Sequence, residues 1–225
     1  MKCRIGAVTA LTFALACSSA GAATVKVHLR VEGAKNTLYE GNVKTDGHTI
    51  DGHPCDGTNG GANPTAGPTA TAALDDAATK NKFTWVGTWN EGFGDYFVDL
   101  IDNEKPSGTN FWESIVNYAP SQVGGCQQRI AAGDEVVWAN ASGSETHFLK
   151  LTGPSKVTVG KAFKLKVTDG ATGKPVTGSK VGKLKVPANG VLKLKAKKKG
   201  SARFVAEAPA SIRSNGVTIA FKATK

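Results

Sequence analysis

One segment of the sequence combines histidines, acidic residues and a cysteine, which are residue types that bind metals or catalyse reactions. It reads TDGHTIDGHPCDGTNGGANPTAGPT, residues 45–69, and holds His48, His53 and Cys55 beside three Asp-Gly pairs. Zinc sites need several convergent ligands, and calcium loops place their acids in close alternation, whereas these aspartates recur every five residues. Asp-Gly pairs are typical of turns, because Gly tolerates positive φ and Asp caps its own turn. The pattern favours a structural loop, with a metal site and a catalytic loop as alternatives.

The N-terminal segment indicates export. Lys2 and Arg4 precede a mostly apolar run of about a dozen residues, too short to span a bilayer, and small residues follow it. We therefore predict a signal peptide over residues 1–23, whose removal takes Cys3 and Cys17 with it. Lipidation of Cys17 is the alternative to simple cleavage. In either case, the mature protein is expected to be secreted or associated with the cell surface.

Two of the four cysteines remain after cleavage, Cys55 and Cys126. An even number of cysteines in an exported chain predicts a disulfide. The two residues are 71 positions apart, and closing a loop of that length stabilises a fold by about 4 kcal/mol. The bond would fasten the 45–69 segment to the chain around Cys126. Two free thiols are the alternative.

The charges divide the chain into two unlike halves. Residues 24–145 hold 8 basic and 16 acidic residues, whereas residues 146–225 hold 18 basic and 2 acidic residues. Such asymmetry predicts two domains with different roles, divided at residue 145.

The first half reads as strands around one helix. VKVHLRVEG, residues 25–33, alternates apolar and polar residues, which predicts a half-buried strand with a solvated outer face that includes His28. A return strand is expected over residues 37–43, and FTWVGTW, DYFVDLID, NFWESIVNYAP and DEVVWAN read as further strands. With one helix among them, the pattern indicates an α+β domain.

That helix is predicted over residues 67–80, GPTATAALDDAATK. The segment is rich in alanine, and Thr69 or Thr71 can cap its N-terminus with a side-chain oxygen. Asp75 and Asp76 are expected on its exposed side.

Several of these stretches resemble the transcobalamin C-terminal-like domain family of secreted bacterial proteins. They are VHLRVEG with TLYEG, HPCDGTNGGANPTAGPTATAAL, FGDYFVDLID, and FWESIVNYAPSQVGGCQQRIAAGDEVVWA, in that order within residues 24–140. The resemblance implies a compact, β-grasp-like α+β domain of a family without an established activity. In vitamin B12 carriers, the corresponding domain covers cobalamin that a separate helical domain holds. We expect no room in this chain for such a helical domain, so cobalamin binding is not carried over. The family also supplies no catalytic residue to transfer.

Tryptophans are the candidate ligand surface of the first half. Trp85 and Trp89 lie four residues apart around a Gly-Thr pair, interpreted as a turn that would expose both rings. Trp112 follows Phe111 in a predicted strand and completes the candidate surface, although a buried position is expected for it. Aromatic side chains are also the main bulk of small cores, so packing is the alternative for all three.

The second half predicts an all-β sandwich. Short strands alternate apolar residues with lysines, and turns recur at DGATGKP, PANG and KKKG. The pattern and the stretch ARFVAEAPASIRSN are similar to bacterial immunoglobulin-like modules of surface proteins. The candidate contacts with the cell envelope are Lys193, Lys195, Lys197, Lys198 and Lys199.

These lysines have three interpretations. They can form a solvated face that protects sheet edges, bind an anionic wall polymer or lipid surface, or bind nucleic acid. Export and the lack of interleaved aromatics argue against nucleic acid, which we do not expect as a partner.

No motif for catalysis is present. The sequence lacks G-x-S-x-G, HExxH and a P-loop, so we predict a protein that is not an enzyme and needs no cofactor.

The hypothesis is an exported binding or cell-surface interaction protein. Its acidic half would present a surface to a small molecule or a protein, and its basic half would associate with the envelope. The alternative is a diffusible carrier of a small cofactor such as a corrinoid.

Overall fold

The structure, a computed structural model, describes residues 23–223. Over this range the chain is mostly β-sheet with a single α-helix. The predicted signal segment up to residue 22 and the alternative lipid site at Cys17 lie outside the described residues. None of the described helical structure is long and apolar enough to cross a membrane.

The strands and the helix are numbered in the order in which they occur along the chain. They are β1 Val25–Glu32, β2 Thr37–Thr45, β3 His48–Ile50, β4 His53–Cys55, α1 Ala70–Asn81, β5 Trp85–Asn90, β6 Asp95–Ile101, β7 Phe111–Val116, β8 Ala119–Pro120, β9 Glu135–Ala141, β10 His147–Thr152, β11 Lys156–Thr158, β12 Ala162–Asp169, β13 Lys180–Val181, β14 Leu184–Lys185, β15 Val191–Lys195, β16 Gly200–Phe204, β17 Ala206–Glu207, β18 Ser211–Ile212 and β19 Val217–Lys222.

The first half is built on a five-stranded sheet in the order β2-β1-β9-β7-β8. β1 runs antiparallel to β2 and parallel to β9. Its apolar side chains Val27, Leu29 and Val31 are fully buried and form one core with Leu74 of α1 and Trp138 of β9. The alternation in the sequence therefore places the apolar side of β1 against the helix, as expected for a strand with one face in the core.

The helix confirms the prediction from the sequence. It begins after Thr69, whose Oγ1 accepts a hydrogen bond of 3.2 Å from the backbone N–H of Ala72. Alanine has the highest helix propensity, and its small side chain lets α1 lie close to the sheet. The expectation that Asp75 and Asp76 are exposed was wrong. Both are half-buried, because they face His48 on the neighbouring hairpin.

The 45–69 segment is not a loop throughout. Its first part is a hairpin in which β3 pairs with β4. Asp51 and Gly52 form its two-residue turn, with φ of 47° and 86°. Positive φ at both positions is the requirement of a type I′ turn, for which Asp-Gly is a preferred sequence.

The second half contains two main sheets, in the orders β15-β12-β10-β18 and β11-β19-β16, and a small sheet β14-β13-β17. Phe163, Leu165 and Val167 of β12 are buried in a second core, which Leu151 of β10 and Ile219 of β19 share. The intervening lysines of β12 point outward. Burial of alternate residues is the arrangement that the sequence pattern predicted.

The C-terminal part of the polar face of β1 corrects another expectation, because it is buried against the second half instead of being solvated. Arg30 and Glu32 have side chains only 2% and 3% exposed. Arg30 donates hydrogen bonds to Glu32 at 3.0 Å and to the backbone carbonyl of Arg213, and Arg213 donates to Glu32 at 2.9 Å. The two halves thus meet at a buried carboxylate, Glu32, which pairs with an arginine from each half. We call Arg30, Glu32 and Arg213 the junction cluster.

Further contacts extend the junction. Glu40 of β2 pairs with Arg203 and accepts a hydrogen bond of 2.9 Å from the backbone N–H of Gly216. His28, which was expected to be solvated, bonds to Glu135 at 2.9 Å, and this bond raises the pKa of the imidazole. A separate apolar cluster joins β7 and β9 to the second half. It consists of Ile115, Val137, Ala139, Ala141 and Ile212, with Phe148 packed against it.

Candidate functional site

The predicted disulfide between Cys55 and Cys126 is present, and both cysteines are buried. Backbone hydrogen bonds accompany it: Gly57 N–H donates to the Cys126 carbonyl at 3.0 Å, and Ile130 N–H donates to the Pro68 carbonyl at 3.1 Å. The disulfide and these bonds therefore fasten both ends of the 56–68 loop to the segment before β9.

Arg129 organises this loop, a role that the sequence analysis missed. Its guanidinium donates to the backbone carbonyls of Thr65 and, at 3.4 Å, Gly57. A Cβ atom at Gly57 or Gly67 would lie within 2.4 Å of the Arg129 side chain, so these glycines make room for it. The loop folds around the half-buried Arg129 side chain, and Asp56 and Asn63 form hydrogen bonds within the loop itself.

His48 is surrounded by carboxylates. Its Nε2 lies 3.1 Å from Asp75 Oδ2, and its Nδ1 lies 3.3 Å from the Asp46 carbonyl. The hydrogen bond with Asp75 is the main cause that raises the pKa of His48 to about 9, against the opposing effect of burial. The same bond lowers the pKa of Asp75, which burial opposes. At neutral pH, His48 therefore carries a positive charge and forms an ion pair with Asp75.

Asp75 links this ion pair to a row of aromatic rings. Its Oδ1 accepts a hydrogen bond of 2.9 Å from the Trp85 indole N–H. The Trp85 ring meets Tyr96 edge-on at 5.5 Å, and Tyr96 meets Trp89 at 5.1 Å. His53 stacks on Trp89 at 4.2 Å. The two histidines thus lie at opposite ends of one aromatic row, and His48 fixes Trp85 through Asp75.

The tryptophans do not form the surface expected from the sequence. No turn separates Trp85 from Trp89, because both belong to β5, on the same side of the strand, and both are half-buried. The strand continues through Gly87, where a Cβ atom would come within 2.9 Å of the Trp85 ring. Trp112 is separate from the other two, since it is only 5% exposed within the first core.

An open pocket of about 450 Å³ lies beside Trp85. We call it the aromatic pocket, and its lining consists of Thr49, Ile50, Asp51, Asp75, Trp85, Val86, Gly87 and Tyr96. Its volume is within the range of small-molecule sites. Burial raises the pKa of the Tyr96 hydroxyl, and the negative charges of Asp51 and Asp75 raise it further. Two carboxylates line the pocket, Asp51 and Asp75, and Asp75 is paired with His48.

The second candidate site is a basic surface formed by strands β12 and β15 and by the residues that follow β15. All five lysines that the sequence analysis selected are exposed, and Lys164 and Lys166 of β12 extend the same surface. Lys164 lies directly opposite Lys193 in the antiparallel pair β12–β15. We call this surface the lysine face, and it consists of Lys164, Lys166, Lys193, Lys195, Lys197, Lys198 and Lys199.

Within the described residues, no acidic side chain pairs with the lysine face. Among residues 23–223, none of its members forms a salt bridge. The acidic residues of the second half are engaged elsewhere, since Asp169 bonds to Thr172 and His147, and Glu207 pairs with Lys180. The surface therefore has a concentrated positive potential that an anion can approach.

Comparisons with known proteins do not assign the chain to a family. No protein-family model matches it, and a search of the curated proteins found no match. The resemblances to the transcobalamin C-terminal-like family and to immunoglobulin-like modules therefore remain predictions from the sequence.

Proposed function

We propose that this is an exported protein without catalytic activity that associates with the anionic cell envelope through its lysine face. The observation that carries the proposal is the concentration of exposed lysines without salt bridges on β12, on β15 and on the residues that follow β15. Protection of sheet edges accounts for lysines on β15, which is an edge strand. It does not account for Lys164 and Lys166, because β12 lies inside the sheet.

Repulsion between neighbouring lysines of this surface also favours binding of an external anion. Like charges directly opposite each other on paired strands are destabilising, and Lys164 and Lys193 occupy such positions. An anionic surface would relieve their repulsion, and anionic lipids attract nearby lysines strongly at physiological ionic strength.

The proposal assigns different roles to two domains, residues 24–145 and 146–225. Two separate hydrophobic cores support the division, one drawn from residues 27–138 and the other from residues 149–219. In the proposal, the first is the β-grasp-like α+β domain implied by the transcobalamin resemblance, and the second is an immunoglobulin-like sandwich. The junction cluster would hold the aromatic pocket at a constant orientation to the envelope.

Co-sedimentation with purified cell envelopes tests the proposal. The protein beginning at Thr24 should pellet at low salt and be released at about half-molar salt, where exposed charges are largely screened. Replacing four members of the lysine face with glutamine should abolish pelleting: Lys164, Lys166, Lys193 and Lys195.

The matched control removes the same charge from exposed positions elsewhere in the second half. These are Lys156, Lys174, Lys183 and Lys185, each replaced with glutamine. The control should pellet like the parent protein. Equal loss in both variants would show that only net charge matters, and no pelleting of the parent would refute envelope association.

The aromatic pocket favours a second candidate function, the binding of a small ligand. Its specific support is the fixed position of Trp85, which Asp75 and His48 hold beside an open cavity. A carrier of a small cofactor such as a corrinoid would use this pocket. Titration with cobalamin, followed by absorbance, tests that ligand directly.

Single substitutions of Trp85 and Trp89 show whether a ligand binds in the aromatic pocket. Trp85→Phe should weaken it, because Trp85 lines the pocket, whereas Trp89→Phe should preserve it, because Trp89 does not. An absorbance change that both variants retain would place the ligand elsewhere, and no change with the parent protein would exclude cobalamin as the ligand.

A further inference from the structure

We infer that the anionic partner of the second half is a lipid, and that one of its acyl chains enters a crevice beside the lysine face. The inference rests on the proposed envelope association and names the chemistry of its partner. The crevice has a volume of about 240 Å³. Its floor is Phe163, Leu194, Phe204 and Phe221, and its rim carries Lys195, Lys197, Lys198 and Lys199.

The crevice exists because the sandwich is open along one side. β15 and β16 are edge strands of different sheets, and within the described chain neither pairs with the other. Residues 196–199 cross from one sheet to the other and bring the lysine run to this opening. The gap between the two edges leaves the core accessible from the surface there.

Aromatic rings of the second core reach this opening. Phe163 lies 6.2 Å from Phe204 and 5.7 Å from Phe221, measured between ring centroids. Phe163 is 8% exposed, whereas Phe204 and Phe221 are only half-buried although they belong to the core. Partly hydrated core rings retain apolar surface that a further apolar group can cover.

The crevice and its rim together select an amphiphile. A polyanion without apolar parts would contact the lysines and leave the phenylalanines hydrated, and a neutral apolar molecule would leave the lysines without a partner. A lipid with an anionic head group satisfies both. The cavity is smaller than the usual range for enclosed small ligands, about 300–1,000 Å³, so it suits insertion of part of one chain at a membrane surface better than enclosure of a whole lipid.

Vesicle binding with a tryptophan reporter tests this inference. All four native tryptophans precede residue 139, so Phe221→Trp introduces a reporter into the second half. In phosphatidylcholine vesicles that contain phosphatidylglycerol, lipids brominated in their acyl chains should quench this variant more than the parent. Leu184→Trp is the matched control, since Leu184 is exposed in the same half and does not line the crevice.

Charge substitutions test the rim. Each lysine near an anionic membrane contributes roughly a fivefold gain in partitioning. Replacing Lys197, Lys198 and Lys199 with glutamine should therefore weaken vesicle binding on the order of 100-fold. Vesicles of phosphatidylcholine alone should bind the parent poorly.

The outcomes separate this inference from the envelope proposal. If the protein binds polyglutamate-coated beads as well as anionic vesicles, and the reporter at 221 is quenched no more than the parent, the partner is a simple polyanion. The lipid inference is then overturned while envelope association stands. If neither vesicles nor envelopes bind the protein, both are refuted. Should Phe221→Trp lose cooperative unfolding, Ser201→Trp at the exposed rim replaces it as the reporter.

Discussion

Replacement of Glu32 with glutamine should destabilise both halves of the protein together. The Glu32 side chain is 3% exposed and pairs with the other two members of the junction cluster, Arg30 and Arg213. Its Oε1 accepts hydrogen bonds from Arg30 at 3.0 Å and Thr37 at 2.9 Å, and its Oε2 accepts one from Arg213 at 2.9 Å. Glutamine has nearly the same shape, so the substitution mainly removes the charge and replaces an acceptor with a donor.

The expected loss in the free energy of unfolding follows from the burial of Arg30, which loses its partner. Loss of one partner from a buried ion pair costs about 3–5 kcal/mol, because the other charge is left uncompensated. Arg30 is 2% exposed and retains one carboxylate neighbour, Glu135, at 3.4 Å. This partial compensation places the expected loss in the free energy of unfolding at the lower end, about 3 kcal/mol.

Urea unfolding with two probes measures both the loss and the coupling. Tryptophan fluorescence reports on the first half, which holds all four tryptophans, and far-UV circular dichroism reports on both halves. Both transitions should shift to lower urea by the same amount, because Glu32 belongs to the first half and Arg213 to the second. Separate shifts would show that the halves unfold independently.

Glu207→Gln is the matched control. It also removes one carboxylate from an ion pair, but Glu207 and its partner Lys180 are 45% and 52% exposed. Exposed pairs contribute about 0–1 kcal/mol. If Glu32→Gln costs no more than this control, the reasoning about a buried junction is wrong.

Three further predictions concern the first half. The stability that the His48–Asp75 pair contributes should be complete between pH about 4, the unfolded pKa of aspartate, and pH about 6.5, the unfolded pKa of histidine, and should be lost as the pH rises through about 9. Because the His48 and Asp75 side chains are 26% and 30% exposed and solvent screens the pair, we expect a change of about 1 kcal/mol across that window, which urea unfolding should detect and His48→Gln should remove. Reduction of the Cys55–Cys126 disulfide should lower the free energy of unfolding by about 4 kcal/mol, measured with and without reductant. Gly52→Ala should cost about 1–2 kcal/mol, because Gly52 has a φ of 86°, whereas Gly52→Asn should cost less in the same thermal unfolding assay. A similar cost for both substitutions would contradict the turn assignment.

The features that the sequence predicted correctly depend on local chemistry. Thr69 caps α1, and Asp51 with Gly52 forms a hairpin turn, because these residues bias the backbone of their own neighbourhood. The disulfide followed from counting the cysteines outside the predicted signal peptide. The exposed lysines of β15 followed from the two-residue period of a strand.

The features that the sequence did not predict depend on contacts between distant segments. A polar side chain on an alternating strand is expected to face water, but Arg30 and Glu32 are buried because residues more than 180 positions away supply their partners. Asp75 faces inward for a similar reason, since His48 and Trp85 converge on it from two other elements.

The sequence by itself therefore determined the types of secondary structure, the Cys55–Cys126 disulfide and the uneven distribution of charge between the halves. The tertiary structure decided which polar residues are buried, which tryptophan lines a pocket, and that the two halves meet through ion pairs. The physical reason is that backbone preference and side-chain alternation act over a few residues, whereas desolvation and charge pairing depend on whichever segments the fold brings together.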